Sequence, residues 1–157
     1  MGVVAVVGLG PMGRAALHYL VNHTNHEVWG YDKSSEAVNR ALSMGVNAIK
    51  ADAVNDETAR GIASNSDAVL TAVPQSIADL LVFKLHNHGA KVIDLIFLWK
   101  YDSEVAERIS NGPLVIPACG WAPGLTNLLA IAAASELDTV EELGIHVGGN
   151  PVNPRPP

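Results

Sequence analysis

Charge is scarce in this chain, at 17% Asp, Glu, Lys and Arg, and it leans acidic: 10 basic residues stand against 16 acidic ones, for a formal net charge of -6. That balance leaves no basic footprint for a nucleic-acid backbone or an anionic membrane surface, and both are excluded as partners. Cysteine occurs once. A lone thiol cannot close an internal disulfide, nothing points to an oxidising compartment, and the cytoplasm is the expected location. Long apolar runs are missing too. The segment from Met1 lacks a basic leader and turns polar by Asn22, short of the ~20 apolar residues a membrane span requires.

What is present is a globular composition. The 157 residues are 48% hydrophobic, enough for one core that buries about two thirds of the unfolded surface and too few for a second full domain. Short β-branched runs alternate with helical stretches, which implies a parallel sheet with helices on its faces. Val3–Val7 is continuously apolar, as in a strand buried on both sides. Pro11 to Val21 reads as a helix with Met12, Ala15, Ala16 and Leu20 turned inward, and Glu27 to Tyr31 as the second strand. A helix capped by Ser34 or Ser35 runs to Leu42 and stops at Gly45, before a strand over Val46 to Ala51.

The same alternation then gives helices over Asn55 to Ala63, Ile77 to Leu85, Glu104 to Ile109 and Leu125 to Leu137. The intervening strands are Ala68 to Val73, Lys91 to Leu95 and Leu114 to Pro117, with a last strand-like run over Val140 to Val147. The expected fold is a doubly wound α/β sheet of Rossmann type over residues 1–138. Residues 139–157 read as a linker or the start of a substrate or dimerisation domain, because the four prolines of the tail remove ladder donors.

The strongest motif is Gly8-Leu9-Gly10-Pro11-Met12-Gly13, placed after the first strand and opening a helix. Gly8 suits a tight turn, Gly10 a close approach of a pyrophosphate, and Gly13 close packing of helix on strand. The helix N-terminus adds unpaired N–H groups and positive dipole. Asp32 closes the second strand, where a carboxylate hydrogen-bonds the adenosine ribose hydroxyls and opposes the 2'-phosphate of NADP. NAD is therefore the expected cofactor, with NADP open through the offsetting charge of Lys33. The bland alternatives are a glycine turn that merely joins two elements and a solvated Asp32-Lys33 pair.

Ligands of such a sheet lie beyond the carboxyl ends of its strands. Asp52 and Ala53 would border the adenine, although Asp52 can equally cap the next helix. Ala72, Val73 and Pro74 would line the ribose and nicotinamide, and Asp94 and Cys119-Gly120 end the next strands. Cys119 has no histidine near it in sequence to act as a base, and a packed small residue is its expected role. The six histidines form no ligand pattern; they are expected on solvated faces, with no metal.

Four stretches together resemble the saccharopine dehydrogenase-like enzymes, of lysine 6-dehydrogenase or saccharopine reductase type. They are Val7 to Gly13, Val92-Ile93-Asp94, Pro117-Ala118-Cys119-Gly120-Trp121-Ala122-Pro123-Gly124-Leu125-Thr126-Asn127, and Val147 to Pro157. The chain departs from that family over Leu95 to Tyr101, which is bulkier and less polar. The resemblance implies an NAD(P)-binding half of an oxidoreductase acting on the CH–NH bond of a small amino-acid substrate. Asp94, Cys119, Gly120, Pro123 and Gly124 would lie on the substrate side, and the acid-base group would come from a following domain. Pairing of the last strand with its copy would make a homodimer. Other readings are a non-catalytic NAD(H)-sensing module and an amino-acid dehydrogenase of homoserine dehydrogenase-like type.

Overall fold

Residues 1–96, 107 and 109–148 are described by the structure, a computed structural model. Six parallel strands form one sheet in the order β3-β2-β1-β4-β5-β6. They are β1 (Val3–Val7), β2 (Glu27–Asp32), β3 (Asn47–Lys50), β4 (Ala68–Thr71), β5 (Val92–Asp94) and β6 (Val115–Ile116). The helices between them are α1 (Pro11–His23), α2 (Ser35–Ser43), α3 (Asp56–Ser64) and α4 (Gln75–Asn87); α5 (Leu125–Ser135) follows the sheet. The expected doubly wound α/β fold is the observed one. Strand order reverses at β1, which pairs with β2 on one side and β4 on the other, Val7 lying opposite Tyr31 and Thr71.

Alternation along β1 splits the core between the two faces. Val6 joins Leu9, Leu17, Val28, Val38, Ala41 and Val46, the face covered by α1 and α2. Ala5 and Val7 point the other way, into a cluster supplied mainly by α3 and α4 through residues such as Ile62, Leu81 and Leu85. A strand buried on both faces needs apolar residues at successive positions, which is why β1 reads as an unbroken Val/Ala run. The helix ends follow their local chemistry. Ser34 Oγ accepts from Ala37 N–H at 3.3 Å, Asn55 Oδ1 caps α3 through Glu57 and Thr58 N–H, and Gly45 follows α2 at φ +77°.

The inward face of α1 differs from the sequence expectation. Gly13 and Leu17 are buried, whereas Met12 is 65% exposed and Ala15 is exposed as well. Gly13 sets this phase: a Cβ there would lie 1.7 Å from the Gly8 carbonyl oxygen, so the helix rotates its glycine onto the strand and carries Met12 outward. His86 departs from the solvated role expected of the histidines. It falls on the buried stripe of α4 with Ala78, Leu81, Val82 and Leu85. His88 also departs from it, meeting Asp56 at 3.0 Å from the C-cap of α4.

The chain divides into two compact units, Met1–Cys119 with the sheet and Gly120–Pro157. In the second unit, α5 buries none of its residues. The strand expected over Val140 to Val147 does not form: these residues are exposed and have no ladder partner among the described residues. A run of β-branched residues becomes a strand only where a neighbouring edge accepts its N–H and C=O groups. The helix expected over 104–109, most of the departing segment from Leu95 to Tyr101 and the proline-rich tail lie wholly or largely outside the described residues. No helix among the described residues is long and apolar enough to cross a membrane.

Candidate functional site

The three glycines of the turn after β1 have three different reasons to be glycine. Gly8 sits at φ +92°, and a Cβ there would meet the Ala72 carbonyl oxygen at 2.5 Å, in the stretch where Ala72 N–H donates to Val7 O at 2.8 Å and holds the two chains together. Gly13 is excluded from carrying a side chain by the backbone of Gly8, as above. Gly10 is different. Its φ of -61° suits any residue, and a Cβ would meet nothing within 4 Å. No described residue requires glycine at position 10; the open space above it does, if a ligand is to come against the backbone.

Helix α1 begins at that space, with Gly10 as N-cap, no side-chain cap bond and Pro11 in its first turn. The first intrahelical bond runs from Arg14 N–H to Gly10 O at 3.0 Å. The Met12 and Gly13 N–H groups, which precede it, have no carbonyl acceptor among the described residues, the condition under which a helix N-terminus takes up an anion. Asp32 stands beside the turn at the end of β2. Its Oδ2 accepts from Leu9 N–H and its Oδ1 from Ser34 N–H, each at 2.7 Å. Those bonds fix the carboxylate between turn and strand end while leaving each oxygen a further lone pair. Lys33 is exposed.

Farther along the edge, Asp52 is exposed, its Oδ1 accepting Val54 N–H at 3.1 Å, and Asn55 rather than Asp52 caps α3. Ala53 and Val73 are 7% exposed and belong to the core, Ala72 is half-buried, and Pro74 is exposed as the N-cap of α4. Asp94 has no accessible surface. Thr71 Oγ1 donates to its Oδ1, Ile96 N–H to its Oδ2 at 3.1 Å and Cys119 N–H to its backbone oxygen at 2.9 Å. Asp94 thus ties together the carboxyl ends of β4, β5 and β6.

Burial pushes the Asp94 carboxyl above its ordinary range, with the bonds from Thr71 and Ile96 pulling it part of the way back. Burial likewise raises the Cys119 thiol, helped by the charge of Asp94, and its Sγ lies 3.4 Å from Ile116 O. A thiol held protonated is a poor nucleophile, in keeping with a packed role. In the second unit Gly120 and Gly124 bridge, Gly124 at φ +128°, and Asn127 Oδ1 accepts Gly124 N–H at 3.1 Å. Pro123 is exposed after a cis peptide bond. The sequence reading missed two residues. One is Arg14, whose only signal is a cation directly after the third glycine; the other is Thr71, a polar residue in an otherwise apolar strand. No group of three metal-ligating side chains occurs among the described residues.

This geometry of open glycine turn, helix N-terminus and strand-end carboxylate coincides with a family match: the TrkA-N domain model matches residues 4–109. The chain belongs to the TrkA-N domain family. It is an NAD(P)-binding Rossmann domain, and the point where a Cβ of Gly10 would lie has no described atom within 4 Å. Among solved structures, saccharopine dehydrogenase (L-Glu forming) from Saccharomyces cerevisiae superposes with TM-score 0.71 at 18% identity, over 87% of this chain. The NAD(P)-binding domain of an exopolyphosphatase-related protein from Archaeoglobus fulgidus superposes with TM-score 0.62 at 19% identity, covering 85% of this chain and 98% of that one. Scyllo-inositol dehydrogenase from Lactobacillus casei gives 0.66 at 16% identity, covering 87% of this chain and 42% of that one. At these identities the likeness is one of fold. The TrkA-N chain spans 31% of the length of the yeast enzyme.

Proposed function

We propose that this TrkA-N domain is the NAD-binding part of an oxidoreductase acting on the CH–NH bond of an amino acid of lysine or saccharopine type. The observation that carries the cofactor half is the pairing of an open Gly10 with Asp32, whose oxygens are fixed by Leu9 and Ser34 N–H. In this reading Gly8, Gly10, Pro11, Met12 and Gly13 cradle the pyrophosphate. Asp32 accepts from the ribose hydroxyls beside Lys33, Asp52 and Ala53 border the adenine, and Ala72, Val73 and Pro74 flank the nicotinamide end. The bound nicotinamide supplies the hydride chemistry itself. The substrate half is supported by the Cys119 to Asn127 stretch and is consistent with the fold shared with yeast saccharopine dehydrogenase.

Calorimetry with NADH and NADPH tests the cofactor choice: NADH is expected to bind more tightly, and NADPH binding at least as well overturns it. Reduction of NAD in the presence of lysine or saccharopine tests the substrate class. Self-association belongs to the same reading, supported now by the uncovered Leu128, Leu129 and Ile131 of α5 in place of a strand edge; light scattering checks it. A second reading, an NAD(H)-sensing module without turnover, is favoured by one observation. The Archaeoglobus domain, matched over 98% of its length, is the NAD(P)-binding domain of an exopolyphosphatase-related protein. Tight NADH binding with no turnover of any amino acid selects it.

A further inference from the structure

Pro11 leaves the anion end of α1 one donor short. The first turn of a helix offers N–H groups that no carbonyl within the helix accepts, and a proline at that turn has none to offer. Arg14 N–H is already bonded to Gly10 O. A diphosphate at this terminus therefore meets the N–H groups of Met12 and Gly13, beside a fixed Asp32 carboxylate of like charge. The half-charge of a helix dipole is small against two phosphate charges.

The Arg14 side chain reaches back to the same glycine turn. Its Nη1 donates to Leu9 O at 2.8 Å, and it is half-buried. That oxygen belongs to the Leu9-Gly10 peptide, the same peptide over which the absent Cβ of Gly10 leaves open space. A guanidinium carries five N–H donors in a planar fork, and among the described residues one is used and no carboxylate pairs with it. Resting on the proposed nicotinamide-dinucleotide reading, we propose that Arg14 binds the diphosphate of the cofactor, replacing the donor that Pro11 lacks. Leu9 O orients the fork, and Arg14 offsets the charge of Asp32.

The test uses the whole 157-residue chain. Arg14→Gln keeps an N–H for Leu9 O and removes the charge, and an unchanged melting temperature shows that the turn survives. The dissociation constants for NADH, NADPH and ADP-ribose are expected to rise together by about tenfold to a hundredfold, the scale of a lost charge-assisted hydrogen bond. Their dependence on ionic strength should flatten as well. Arg14→Lys, which keeps charge without the fork, should fall between. Pro11→Ala in the Arg14→Gln background restores a backbone donor and is expected to recover about threefold or more, which a purely structural clamp on Leu9 would not do. Unchanged affinity in Arg14→Gln, or a loss confined to NADPH, overturns the assignment while leaving the cofactor reading intact. A wild-type chain that binds none of the three ligands overturns that reading, and the role of Arg14 with it.

Discussion

Glycine by glycine, the turn after β1 separates folding from binding. Gly10→Val should leave the melting temperature within about 2 °C, since a side chain there meets no protein atom, while NADH affinity drops by an order of magnitude or more. Gly13→Ala should do the opposite, costing about 2 kcal/mol or more in urea unfolding, because the neighbour in the way is the Gly8 backbone. Comparable NADH affinity in wild type and Gly10→Val would refute this division. Asp32→Ser should narrow the preference for NADH over NADPH, read by calorimetry on both ligands. Asp94 gives a pH signature. Its folded pKa is raised above the ordinary 3.8, so its contribution to stability is complete below that value and is lost as pH rises through the folded pKa. Asp94→Asn should therefore flatten part of the decline in stability above pH 3.8, seen in urea melts across the acid range. A profile parallel to wild type would show that the carboxyl titrates as in the unfolded chain.

At the scale of elements, helix ends were legible where they depend on nearest neighbours. Ser34 and Gly45 act within a turn of their own positions, and the cap and the positive φ fall where the side chains call for them; at α3 the cap moved from Asp52, which the sequence offered, to Asn55, three residues on. Asn55→Ala should cost about 1 kcal/mol, since Glu57 and Thr58 N–H lose their acceptor. Which face of a helix turns inward was less legible. For α1 the apolar pattern favoured Met12 and Ala15, but backbone contact at Gly13 rotated the helix, and side-chain hydropathy carries no record of that contact. His86 is the same lesson in α4. Neither ring nitrogen has a hydrogen-bond partner among the described residues, although the ring is 6% exposed. His86→Leu should raise stability by about 1 kcal/mol in thermal or urea melts, the desolvated polar atoms being replaced by apolar ones.

For the whole molecule, ligand linkage gives the broadest check. NADH at a hundred times its dissociation constant should stabilise the chain by about 2.7 kcal/mol and raise the melting temperature by several degrees, with ADP-ribose doing the same; no shift with either would be incompatible with a dinucleotide site. The sheet, its parallel sense and the glycine turn with Asp32 could be read before any coordinates, because each rests on local periodicity or on a spacing between neighbouring elements. Tertiary structure alone decided the rest. It buried Asp94 against Thr71 and laid Arg14 on Leu9. It also left Val140 to Val147 without a ladder partner among the described residues. In each case the deciding partner is a group whose proximity only the packed chain creates. Residue type sets what a side chain can bond or bury, and the fold sets which of those partners is within 3 Å.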